Sequence, residues 1–486
     1  MADALPRTRP VGVIGVLASC GLVVSLMQTL VVPLLPLFPR LLSTSPATAA
    51  WLVTATLVAG AVSAPVLGRL GDMYGKRRML LIALVLITLG SLLGAVSPGI
   101  EVLLAARVLQ GVSLGVVPLG LSIMRDELPA DRVSSGVGLM SSSLGIGGAV
   151  GLPLTGLVAQ NLHWRWLFLG AAVFAGGLIL LVRRLVPESP LRTGGRFDLP
   201  GAAGLSAALV CLLLAVSKGS EWGWSSARVL GLLIAAVPVF AVWGVLQLRT
   251  QGPLVDLRVS ARPAVLWTNL ATILVGFAMF ASFMVSTQIL QAAPATGYGF
   301  GLSLVLSGVA MLPMGAAMTV FSPASARLSH RRGPRTTLVV GALVLTVGNL
   351  GFALLPGNLA LIILATTVIA IGAALAYSAL PLLIMRAVPP TETAAANSLN
   401  TLMRQLGTSS CTAVIAAVST ALTIRAGGTV QPSAAAYMVI FLAAAGAALL
   451  ATLIAALTPA PATPGALPGD GPSTDDRRLE LGAAQR

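Results

Sequence analysis

Charge is scarce in this sequence. Only 9% of the 486 residues are Asp, Glu, Lys or Arg, against about 25% in a typical soluble domain. Hydrophobic residues make up 56% and mean hydropathy is +0.93, so the chain reads as a polytopic membrane protein. Histidine is nearly missing: His163 and His330 are the two present, and they are expected on opposite sides of the membrane. The three cysteines, Cys20, Cys211 and Cys411, lie in separate apolar runs, as small hydrophobes do. They offer neither a disulfide framework nor metal-ligand spacing. An integral membrane enzyme would need clustered His, Cys, Asp or Glu, so no catalysis, metal or cofactor is expected. No G-x-x-x-x-G-K-[ST] loop occurs, which removes ATP as the energy source. Acidic residues number 15 against 30 basic ones, a net charge of +15. The aromatic interleaving and polar context of a nucleic-acid binder are missing, so the excess is read as cations retained on the cytoplasmic side.

A bilayer crossing takes about 20 apolar residues, and fourteen segments qualify, from 11–38 to 434–457. The first follows a short basic stretch without a small-residue cleavage site and is read as a span, not a signal peptide. With the N-terminus inside, 23 of the 30 basic residues fall on the cytoplasmic side and five outside, while Arg107 and Arg404 lie within spans. Adding or dropping one span would scramble that asymmetry. Twenty-eight arginines against two lysines, with abundant alanine, hint at a GC-rich bacterial genome. The chain is therefore expected in a bacterial cytoplasmic (inner) membrane with both termini inside.

Residues 68–78, GRLGDMYGKRR, hold five ionisable groups in eleven positions: Arg69, Asp72, Lys76, Arg77 and Arg78. Gly68, Gly71 and Gly75 allow close helix approach and a turn. Asp72 is placed to cap or face a following helix end, with the basic cluster in water. The stretch resembles the loop between spans two and three of the major facilitator superfamily, G-x-L-A-D-R-x-G-R-K-x, with Gly71, Met73 and Lys76 as departures. The resemblance implies a conformational latch made by Gly68, Gly71, Asp72, Gly75, Lys76, Arg77 and Arg78. Residues 326–335 (ARLSHRRGPR) echo it without gaps, placing Arg327 on Arg69, Gly333 on Gly75, and His330 on Asp72. That offset exceeds six spans by about two helices. The expected plan is therefore a six-helix half at 1–198, two linking transmembrane helices at 199–248, a second six-helix half at 249–457, and a disordered cytoplasmic tail at 458–486.

Within the fourth span, RVLQG places Arg107, Gln110 and Gly111 on one helix face. An intramembrane arginine costs about 2.5–3.5 kcal/mol on insertion scales. The run resembles the R-x-x-Q-G motif of proton-coupled members of the superfamily, which implies proton coupling through Arg107 and Gln110, together with Asp72. The alternative is a structural arginine satisfied by backbone carbonyls. In the fifth span Gly145, Gly147, Gly148, Gly151, Pro153 and Gly156 permit close packing and a proline bend. The span resembles the antiporter motif G-x-x-x-G-P-x-x-G-G, with Leu152 and Thr155 as departures; Gly147, Gly151, Pro153 and Gly156 carry the match. HWRWLF at 163–168 is similar to the W-R-W-x-F start of span six in the fourteen-span drug:proton antiporter family, and also fits an aromatic interface belt. Residues 391–407 resemble the beginning of that family's thirteenth span.

Gln28, Gln288, Asn400 and Arg404 are expected along a substrate path, and a mostly apolar cavity with a few polar groups suits a small amphiphilic molecule. One departure stands out. Many relatives carry an aspartate in the first span where this chain has Met27, and no acidic residue lies inside a span. Proton coupling must then use Asp72, Glu101 or another end-of-span group. The leading expectation is an all-α major facilitator protein, a monomer in the lipid bilayer, that exchanges protons for drugs, antibiotics or secondary metabolites by alternating access. The alternative is an uptake symporter or facilitator for a small metabolite. A sensor on this fold would usually append a soluble domain, and the tail is too short for one.

Overall fold

A computed structural model of the chain describes residues 10–31, 34–35, 37–354, 358–426 and 429–458. The expected tail lies outside the described residues beyond Thr458. Where lipid offers no partner for backbone polar groups, a helix satisfies them internally, and helices account for nearly all of the described chain. The long ones are α1 Pro10–Thr29, α2 Pro46–Tyr74, α3 Lys76–Ala95, α4 Ile100–Glu127, α5 Ala130–Asn161, α6 Arg165–Leu185 and α7 Leu199–Trp222. They continue with α8 Ala227–Arg249, α9 Pro263–Gln291, α10 Leu304–Val320, α11 Ser322–Leu354, α12 Leu359–Ala387, α13 Thr393–Ala421 and α14 Ala434–Leu457. Side-chain caps set several starts: Ser45, Asp198, Ser303 and Ser433 each accept a backbone N–H of the first turn.

Twelve segments among the described residues are long and apolar enough to cross a membrane. One of them, Leu304–Ala353, contains both α10 and α11. Helix α13 has 29 residues but is interrupted by Asn397, Asn400, Arg404 and Gln405, so hydropathy alone passes it over. With Leu304–Ala353 counted as two helices and α13 added, the described residues hold fourteen long helices, matching the number of segments counted in the sequence.

Several expectations need correction. The first span ends at Thr29, ahead of Pro33 and Pro36, and Phe38–Leu41 is a separate short helix. The stretch 68–78 is not a loop: α2 continues to Tyr74, where Gly75 N–H still donates to the Gly71 carbonyl at 3.0 Å. Only Gly75 leaves the helix, with φ +119°, before α3 starts at Lys76. The repeat has the same joint, since Gly333 interrupts α11 with φ +85°. A left-handed φ at both equivalent positions is what glycine uniquely tolerates. The sequence reading also missed a two-stranded hairpin, Thr423–Ala426 with Thr429–Pro432, pairing Thr423 with Pro432.

Helices α1–α6 share one core built on Leu17, Met27, Leu80, Ile87, Leu119 and Phe168. Helices α9–α14 share a second, on Val275, Met318, Leu345, Ile369 and Phe441. A third cluster joins Leu205, Leu209 and Trp243 of α7 and α8 to Ala61 of α2 and Leu402 of α13. The linking pair therefore lies over the seam between α2 and α13. Its ends are pinned by Asp198, which accepts from Gly201 N (2.8 Å), Gln247 Nε2 (2.7 Å) and Leu254 N (3.2 Å).

Candidate functional site

A cavity of about 140 Å³ lies between the two helix groups. Helix α1 contributes Ser25, Gln28 and Thr29, and α5 contributes Leu144, Gly145 and Gly148. From the other group come Met279, Phe280 and Phe283 of α9, Met314 of α10, Tyr377 of α12, and Arg404, Gln405 and Thr408 of α13. Two of the four expected path residues, Gln28 and Arg404, thus meet here. Gln288 is half-buried five residues beyond Phe283 and is outside the lining. Asn400 is also elsewhere: its amide donates to Asn269 Oδ1 at 2.9 Å and Thr272 Oγ1 at 2.7 Å, tying α13 to α9. Phe280, Phe283 and Thr408 were not expected, because their role depends on which helix faces meet.

On the side of the cavity where α2 ends and α13 begins, the two groups are clasped together. Asp72 Oδ2 accepts from Ala395 N at 2.8 Å and Oδ1 from Ala394 N at 3.2 Å. An anion at a helix N-terminus meets unpaired N–H groups and the positive end of the dipole. Asp72 therefore caps a helix of the opposite group, not the helix following its own. Gly68 permits the approach, since a Cβ there would sit 2.8 Å from the Ala394 carbonyl, while Gly71 makes room for Leu119 of α4. The expected solvated cluster is split. Lys76 is fully buried, 2.6 Å from Asp126 and 3.7 Å from Asp72, because two buried carboxylates hold its charge. Arg77 is half-buried and donates to the Arg183 carbonyl at 2.5 Å, and Arg78 is exposed. Glu188 accepts from the backbone N–H of both Arg77 and Arg78 at 3.1 Å, capping α3. Arg125 of α4 adds to the clasp through Thr393 Oγ1 at 2.6 Å and the Val388 carbonyl at 3.1 Å. In the repeat, His330 is exposed, and eight residues earlier Ser322 packs against Gly138 of α5.

Arg107 is 2% exposed and, with Gln110, joins four helices. Nε donates to the Leu52 carbonyl at 3.1 Å; Nη1 donates to the Met27 carbonyl at 2.9 Å and Gln110 Oε1 at 2.8 Å. Gln110 Nε2 passes the chain on to Ser91 Oγ at 2.9 Å. Helix α1 thus offers this guanidinium a backbone carbonyl at Met27 and no carboxylate. Glu101 is exposed at the start of α4 and takes no part in this network.

The glycines of α5 press it between two neighbours. A Cβ on Gly147 or Gly151 would meet Ser25 or Thr29 of α1, and one on Gly145 or Gly156 would meet Met318 or Val305 on the α10 side. Pro153 lies inside the continuous helix with Gly308 of α10 against its ring. Nothing lies within 4 Å of a Cβ at Gly148, which faces the cavity. In HWRWLF, Trp164 packs edge-on against Phe38 and Phe168, and Arg165 donates to the Ser97 carbonyl at 2.6 Å. His163 is exposed.

The family model described as Major Facilitator Superfamily matches residues 17–411. The chain is 29% identical to the tetracenomycin C resistance and export protein of Streptomyces glaucescens, over 72% of this chain and 65% of that protein. It is 34% identical to the puromycin resistance protein pur8 of Streptomyces alboniger, over 70% and 66%. With the lincomycin resistance protein of Streptomyces lincolnensis it shares 28% identity, over 85% and 83%. The chain thus spans about two thirds of the length of the first two of these relatives. Among solved structures, the human organic anion transporter MFSD10 matches with TM-score 0.64 at 19% identity, covering 93% of this chain and all of that one. The proton:xylose symporter XylE matches with TM-score 0.63 at 13% identity, covering 93% and 96%. At such identities the likeness is one of fold.

Proposed function

The chain belongs to the major facilitator superfamily, and from that premise we propose that it exports antibiotic-like or other drug-like molecules in exchange for protons, by alternating access. The observation that carries this reading is the cavity between the helix groups, clasped on one side by Asp72 at the α13 N-terminus. Cationic side chains concentrate on that side, which by the positive-inside rule faces the cytoplasm. The conformer is then one closed to the cytoplasm, and releasing the clasp would expose the cavity to it. Resistance and export in the names of the relatives favour outward transport. The protein would work as a monomer in a bacterial cytoplasmic membrane, both termini inside, with six-helix halves at 1–198 and 249–457 and the linking pair at 199–248.

Proton coupling falls most naturally on Asp72. As a carboxylate it accepts two backbone N–H bonds and neighbours Lys76; a proton would remove the charge and weaken the clasp. The Arg107–Gln110 network would transmit that change between α1, α2, α3 and α4. The test is uptake by inside-out vesicles of a drug panel under an imposed pH gradient, acid inside. Accumulation abolished by a protonophore is expected, and accumulation only under the opposite gradient would overturn the export reading.

A further inference from the structure

We propose that the cavity selects aromatic amphiphiles that carry an anionic oxygen, with Arg404 as the group that pairs with it. This deepens the export reading and rests on it for taking this cavity as the substrate site. Among the residues that line the cavity, Arg404 alone is charged; its polar companions Gln28, Gln405 and Thr408 are neutral. The ion pairs among the described residues involve Lys76 and Lys218, at the ends of the helices. The Arg404 guanidinium instead lies 5.5 Å above the ring of Tyr377. Its stem is fixed, because a Cβ on Gly276 would be 3.3 Å from Arg404 Cγ and 2.9 Å from its carbonyl oxygen. The head is thus held in place by an aromatic face, with no carboxylate to neutralise it.

The guanidinium is half-buried at the cavity wall with no ion pair among the described residues, and an anion bound beside it, shielded from bulk water, gains a charge-assisted contact. The planar fork of a guanidinium matches a carboxylate, sulfonate or acidic enol through two parallel hydrogen bonds. Phe280, Phe283 and Tyr377 supply flat apolar faces for a ring system, and aromatic pairs add to the area they bury. A cationic drug of the same shape would meet a like charge. No acidic side chain is among the residues lining the cavity, which fits the same selectivity.

The probes are 1-naphthoate and 1-naphthylmethylammonium, alike in ring and opposite in charge. Equilibrium dialysis against the purified full-length protein in detergent should show the naphthoate binding at least about tenfold more tightly, a difference of about 1.4 kcal/mol. Arg404→Gln should remove the preference, and Arg404→Lys should keep part of it. The wild-type comparison needs no variant, so a poorly folding variant leaves the test intact. Equal binding, preference for the ammonium, or no measurable naphthoate binding would overturn the proposal. Preserved preference without efflux in vesicles would instead overturn export and leave the binding assignment standing.

Discussion

Asp72 and Ala395 are 323 positions apart in sequence, yet the carboxylate of one accepts the backbone N–H of the other at 2.8 Å. The contact links the end of α2 to the first turn of α13, so it exists only while the two helix groups are closed on that side.

Asp72→Asn keeps the shape and removes the charge. A hydrogen bond to a charged group contributes about 1.5–3 kcal/mol, so closure should weaken by about tenfold or more. The expected outcome is near-normal expression, faster labelling of cysteines introduced in the cavity from the clasped side, and impaired transport. Unchanged labelling and turnover in reconstituted vesicles would remove the clasp from the mechanism.

Arg107→Lys separates coupling from architecture. A lysine keeps charge but cannot reach the Leu52 and Met27 carbonyls and Gln110 with one fork. If the network transmits the proton signal, substrate movement down its own gradient persists while pH-driven accumulation is lost. Loss of both, with a lowered thermal midpoint, assigns Arg107 to holding α1, α2 and α4 together.

Gly151→Val should cost stability, because even a Cβ there would sit 2.1 Å from Thr29 Oγ1. Gly148→Ala, on the same helix, points into open space and should leave the thermal midpoint unchanged. Overpacking typically costs about 1–3 kcal/mol. Equal midpoints for the two variants would contradict the tight seam between α5 and α1.

Topology is checked by single cysteines in a background lacking Cys20, Cys211 and Cys411. Gly194 and Gly333 should label from the cytoplasm, and Gly223 and Gly297 from outside; nothing lies within 4 Å of a Cβ at any of the four. Each has a left-handed φ that strains a cysteine, so labelling is read on variants that keep the wild-type thermal midpoint. Gly219 is a poor probe because a Cβ there would lie 2.6 Å from the Trp224 ring. Labelling of Gly333→Cys from outside would overturn the fourteen-crossing arrangement.

Much of the fold was legible because the bilayer imposes length and charge rules on sequence. The repeat was equally plain, and Gly75 and Gly333 do share a left-handed joint. What sequence could not convey was pairing across hundreds of residues. Asp72 advertised a helix end but not which one, and Lys76 looked solvated because Asp126, fifty positions away, is invisible to local reading. Asn400 looked like a path residue for the same reason, since its partners Asn269 and Thr272 lie on another helix. The hairpin at 423–432 did carry a local signal, with Thr, Ile and Val flanking Gly427 and Gly428. Its position between two spans hid it.

The linking helices give the molecule a front and a back within the plane of the membrane. On the α2–α13 flank, α7 and α8 stand between the inter-group crevice and the surrounding lipid. On the α5–α10 flank, Leu154, Leu157, Leu306 and Val309 are exposed, and the glycine-packed seam has no helix laid over it among the described residues. A greasy solute dissolved in the bilayer would therefore meet this transporter unequally by direction, finding two extra helices on one flank and a bare seam on the other.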